Sequence, residues 1–111
     1  MTAALGLDEV SKVSDQLAEA RGYIEEGWIQ HALFDPNGGA CVLGATMGRN
    51  EAQAELRETI EEMWLLGPWI SDSGGGRRVD IAAWNDHPGR TRQEVLDVFD
   101  KTILRLQERG E

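Results

Sequence analysis

Few residues in this chain could do chemistry. The stretch Trp84-Asn85-Asp86-His87-Pro88-Gly89-Arg90-Thr91-Arg92 sets a carboxylate beside an imidazole and follows them with two guanidiniums. Asp86 and His87 are residue types that serve as general base and proton carrier near neutral pH. Adjacent side chains rarely face one another usefully, and each residue of the stretch has a structural use: Asn and Asp bond their own downstream backbone, and Pro-Gly turns the chain. Cys41 with His31 or His87 would make a nucleophile and its base. Any single cysteine and any two histidines allow that pairing, so a small buried thiol is the plainer reading. Cys41, His31, His87 and Asp86 lack the short paired spacing of a metal motif, and Gly74-Gly75-Gly76 lacks the Lys-Ser/Thr ending of a phosphate loop. The expectation is a protein with no catalytic residue, no metal and no cofactor.

A second grouping points to anions. Arg77, Arg78, Arg90 and Arg92 hold four of the eleven basic charges within one segment. Arg90 and Arg92 flank Thr91 where a helix is expected to begin, and free backbone amides there favour negative charge. Arg77, Arg78, Arg90, Thr91 and Arg92 therefore form a candidate site for a phosphate or carboxylate. Salt bridges to the many glutamates are the competing reading.

The elements that would position these groups follow from periodicity. Val10, Val13, Leu17, Ala20 and Ile24 recur at helical steps from Asp8 to Glu26, with Gly27 as the stop. Glu25 and Glu26 then sit at the negative end of the helix dipole, which calls for a nearby arginine or for exposure to solvent. Residues 28–34 and "ACVLGA" flank a turn at residues 35–39, which supports either a short hairpin or a turn followed by a short helix near Cys41. A second helix spans residues 51–66, with Asn50 as N-cap and Leu56, Ile60, Met63 and Trp64 as its stripe. Its glutamates 51, 55, 58, 61 and 62 form a solvated face. Residues 71–78, "SDSGGGRR", read as a flexible Gly-rich loop, and "VDIAAW" as a short strand. The last helix carries the strongest signals: Thr91 and Glu94 make a capping box, Val95, Phe99, Ile103 and Leu106 its inner stripe, and Asp97 with Lys101 an i,i+4 pair. The predicted fold is α+β, mainly α: about three helices around a short β-hairpin or other small β element, in a single domain over residues 1–111.

Composition bounds the function. Twenty acidic against eleven basic side chains give a net charge of −9, which repels nucleic acid and anionic membranes and suits a protein partner. One cysteine excludes an internal disulfide and fits a cytoplasmic location, and no apolar run is long enough to span a bilayer.

The segments "EEGWIQHA", "CVLGA" and "IAAWNDHPGRTRQEVLDVFDKTI" resemble a family of small uncharacterised proteins from actinobacteria and their bacteriophages. The pattern maps onto Gly27 and Trp28, Cys41 with Gly44 and Ala45, Trp84 to Asp86, and Arg90 with Thr91. The resemblance implies an accessory role and brings no catalytic residue with it. The Gly-rich 71–78 loop and the short 35–39 turn depart from the family's expected longer insert. The expectation is a noncatalytic protein that binds and modulates a host or phage protein, or pairs with its own copies; the alternative is a small-anion or nucleotide-binding protein, possibly enzymatic, that uses the arginines before the last helix. On this reading Trp28, Cys41, Trp84, Asn85 and Asp86 serve the fold.

Overall fold

Helical stripes fix the architecture seen in the computed structural model, which describes residues 12–65, 67–71 and 78–111. The elements run α1 (Val13–Gly27), α2 (Val42–Ala45), α3 (Asn50–Met63), β1 (Ile70–Ser71), β2 (Arg78–Val79), α4 (Ile81–Asp86) and α5 (Arg92–Glu108). The fold is α+β and mainly α, as the sequence predicts. Helix α1 packs chiefly on α5, α3 packs on α5 and β2, and the short α2 lies against α1 and α4. Leu17, Ala20 and Ile24 of α1, Leu56 and Ile60 of α3, and Val95, Phe99 and Leu106 of α5 meet in one buried cluster that also takes in Trp84. Burying one such large aliphatic or aromatic side chain contributes about 1.5–3 kcal/mol.

Several expectations need correction. "VDIAAW" is not a strand beyond Val79: Asp80 accepts from the Ala83 amide and starts α4, a helix the sequence reading lacked. Its buried residues Ile81, Trp84 and Asn85 fall at helical spacing, and burial of that face overrides the β preference of a short apolar run. The region 28–44 takes the turn-plus-helix alternative. Trp28 and Phe34 each make only an isolated bridge to Ala40, after which α2 begins. Asp35 organises the turn, its Oδ1 accepting from the amides of Asn37 and Gly39. A side chain at Gly39 would strike the Gly27 carbonyl at 2.7 Å, so the turn closes onto the end of α1 only with glycine there.

Asn50 is the first residue of α3 rather than its cap, which is Arg49, and Gln53 donates to the Thr46 carbonyl. Helix α3 ends at Met63, which is exposed, and Trp64 follows it as the C-cap. On α5, Asp97 accepts from Gln93 rather than pairing with Lys101. The glutamate face of α3 is only partly solvated, because Glu55 binds Arg105 and Arg109 of the α5 end, and Glu61 accepts from the Val79 amide. Val10, Leu66, Arg77 and most of the predicted 71–78 loop lie outside the described residues.

Candidate functional site

The Trp-Asn-Asp stretch becomes a hydrogen-bond node at the C-terminal end of α4. Asn85 is 1% exposed. Its Oδ1 accepts from Trp28 Nε1 at 2.8 Å and from the Val42 amide at 3.1 Å. Its Nδ2 donates to the Ile29 carbonyl at 3.2 Å and to Asp86 Oδ1 at 2.9 Å. Both lone pairs and both protons of the amide are thus used, the requirement for burying such a group without a desolvation penalty. Gln30 Nε2 adds bonds to the carbonyls of Asn85 and His87. The node fastens the irregular segment 28–31 and the start of α2 to α4.

Asp86 finishes the clamp from outside. Its Oδ1 accepts from the His31 amide at 2.8 Å, which holds His31 at φ 68°, a left-handed conformation that side chains other than glycine seldom adopt. The His31 ring lies with Nδ1 3.9 Å from Asp86 Oδ2 and is largely exposed. The neighbouring His87 turns elsewhere, its ring meeting the edge of Trp69 with centroids 4.9 Å apart. The adjacent Asp86-His87 pair therefore forms no acid-base unit. Cys41 is buried, and its Sγ accepts from the Gly44 amide to cap α2.

Arg90 follows a different rule. Its side chain is 3% exposed. The guanidinium carbon sits 4.2 Å from the ring centre of Trp84, 4.4 Å from Trp64 and 5.0 Å from Trp69. The rings themselves meet edge to face, Trp64 lying 5.9 Å from Trp84 and 6.1 Å from Trp69. Arg90 Nε donates to the Trp84 carbonyl at 2.8 Å, and Nη1 reaches Glu94 Oε1 at 3.4 Å. Loss of hydration pushes the guanidinium below the usual arginine range, and the Glu94 charge opposes that shift. Each aromatic face contributes about 0.5–2 kcal/mol toward a desolvated cation. The offset is incomplete: Arg90 Nη2, Trp64 Nε1 and Trp84 Nε1 are buried without an acceptor among the described residues.

The described residues of the proposed anion site have separate engagements. Arg90 is inside the tryptophan cage. Thr91 makes the capping box, its hydroxyl accepting from the Glu94 amide while Glu94 Oε1 accepts from the Thr91 amide. Arg92 donates across to the Glu25 carbonyl, which answers the unfavourable acidic end of α1. Arg78 is exposed on β2, and Arg77 is outside the described residues. Trp28, Asn85 and Asp86 do come together, with Val42 next to Cys41, while Trp84 packs on Arg90. Sequence reasoning missed Trp64 and Trp69 as partners of Arg90 and Gln30 as a member of the node. A usable signal was the helical spacing of Ile81, Trp84 and Asn85; nothing local links Trp64 to Arg90.

The segment held by the node carries exposed apolar side chains. Leu33 is 42% exposed, Phe34 55% and Met47 53%. A side chain at Gly44 would lie 2.2 Å from the Leu33 carbonyl, so glycine lets this segment close onto α2. Met47 follows within the same turn, its amide bonding the Gly44 carbonyl.

Among the described residues, no three His, Cys, Asp or Glu side chains gather as metal ligands, and no helix is long and apolar enough to cross a membrane. No curated protein and no solved structure matches the chain. A family model matches residues 8–105, and the chain belongs to that family of unknown function, DUF6197.

Proposed function

We propose that this chain is a noncatalytic cytoplasmic accessory protein, of phage or actinobacterial origin, that binds and modulates a host or phage protein. The observation that carries this reading is the contrast at the node. The polar atoms of Trp28 and Asn85 are consumed in holding segment 28–34 to α4, while Leu33 and Phe34 of that same segment, and Met47 after α2, stay in solvent. A fold that ties down a loop from within and leaves its apolar side chains outside presents a rigid contact surface, and rigidity lowers the entropy lost on association. Aromatic and Met side chains are the types enriched at protein interfaces. A net charge of −9 favours a partner with basic residues around the contact.

The test compares immobilised parent with Phe34→Asp, after thermal melts establish that the two unfold alike. Both are exposed to lysate of the producing cells. One stoichiometric partner held by the parent and lost by the variant supports the reading. The same catch on both columns, or none on either, rejects it. Sedimentation of the two proteins distinguishes a second copy of the chain from a different partner.

A further inference from the structure

We infer that a groove between α3 and β2 is a second, independent binding site, for a small ligand carrying a carboxylate or phosphate oxyanion on an apolar body. The groove has a volume of about 320 Å³ and is lined by Arg57 of α3, Arg78 of β2, Asp80, and the apolar Leu43 and Ile81. That size is at the lower end of small-molecule sites, which run from about 300 to 1,000 Å³.

The arginines carry the argument. In a chain of net charge −9, carboxylates are plentiful. Each of the other described arginines holds a carboxylate or a backbone carbonyl. The side chains of Arg57 and Arg78 make neither a hydrogen bond nor an ion pair with any described residue, and both line the same groove. Of the described carboxylates near the groove, Glu61 and Asp80 each spend an oxygen on a backbone amide rather than on these arginines. Glu61, four residues after Arg57 and at the spacing of a helical ion pair, gives its Oε2 to the Val79 amide at 3.0 Å. Asp80 gives its Oδ1 to the Ala83 amide. The Glu61 bond also ties β2 to α3, which holds Arg78 and Arg57 on one groove. Guanidiniums bind planar oxyanions through paired N–H donors, and the aliphatic lining accepts the rest of a small molecule. This site lies apart from Leu33, Phe34 and Met47 in residues and in chemistry.

The test is a titration followed by NMR at the Nε–Hε groups of Arg57 and Arg78 and the amides of Val79 and Ala82. Four probes are used: inorganic phosphate, adenosine monophosphate, N-acetyl-leucine and the neutral N-acetyl-leucinamide. Saturable shifts with adenosine monophosphate or N-acetyl-leucine, and not with the amide, are expected, and which of the two binds tells phosphate from carboxylate. Arg57→Gln and Arg78→Gln should each weaken that binding about tenfold, as the loss of one charge-assisted contact does, with unchanged far-UV circular dichroism. The single variants keep the test open where the double one does not fold. The inference fails if no probe saturates by about 10 mM, where even a ligand of about 1 mM affinity would. It also fails if inorganic phosphate or the neutral amide binds as tightly as the two carriers, or if the variants respond like the parent.

Discussion

Asn85 and Arg90 stand at opposite ends of one short turn, and both are buried, yet they are accommodated by opposite means. Asn85 meets a full set of partners drawn from three segments of chain. Arg90 meets three ring faces, one carbonyl and one distant carboxylate, and keeps an Nη2 with no partner among the described residues. The amide of Asn85 is specified by geometry and has no substitute. The guanidinium of Arg90 is held mainly by shape and polarisable surface, which an apolar side chain of similar length can supply. Burial alone therefore does not say whether a polar residue is indispensable; what the neighbours would be left with after its removal does.

The sharpest way to break this comparison is at the node. Asn85→Leu strands Trp28 Nε1, the Val42 amide and the Ile29 carbonyl. With each orphaned buried group costing about 1–3 kcal/mol, a loss of about 4 kcal/mol or more is expected by urea unfolding, a large share of a total of about 5–15 kcal/mol. A loss below about 1 kcal/mol, the net worth of a single bond, would show that the node is not needed.

Thr91→Ala comes next. It removes half of the capping box while leaving the cage intact, and should cost about 0.5–2 kcal/mol in the same measurement. An unchanged midpoint would mean that Glu94 alone suffices at this helix start.

Arg90→Met is expected to change stability by no more than about 1 kcal/mol in either direction, since replacing a desolvated charge by a well-packed apolar side chain is often neutral or stabilising. The Trp84 carbonyl keeps the His87 amide as a donor, so the substitution orphans no acceptor there. A loss comparable to that of Asn85→Leu would erase the distinction between the two regions.

The smallest effect is expected beside the node. Cys41→Ser exchanges a sulfur acceptor for the hydroxyl that helix starts prefer, and thermal melting should move by the equivalent of less than about 0.5 kcal/mol. A large drop would mean that the volume of the thiol matters more than its cap.

The parts of the fold legible in the sequence are those decided within a few residues. The Thr91-Glu94 box was readable because donor and acceptor lie within one turn, and α1, α3 and α5 because each carries a repeating stripe. Helix α4 was not, since its six residues barely complete a period and Ile81-Ala82-Ala83-Trp84 suits a strand equally well. The structural use of Asn85 and Asp86 was foreseen in kind, as turn chemistry, but their partners in segment 28–31 are more than fifty residues away in sequence and leave no local mark. The same is true of Arg90. Its place beside Thr91 suggests an exposed cation, and only the meeting of Trp64 and Trp69 with Trp84 encloses it. Arg57 is the lone cation among the α3 glutamates, and its place on one groove with Arg78 depends on β2.

The indoles divide the molecule optically. Trp64, Trp69 and Trp84 are close enough, at centroid separations of 5.9 and 6.1 Å, for their excited states to mix, while Trp28 stands in the node with its Nε1 hydrogen-bonded to Asn85. Coupled indoles held at fixed angles give an exciton couplet from their intense far-ultraviolet transition, which vanishes when the rings lose their mutual orientation. The wild-type chain thus carries two built-in reporters, an excitonic band for the arginine cage and a single indole N–H resonance for the node, so loosening of one region can be timed against the other without attaching a label.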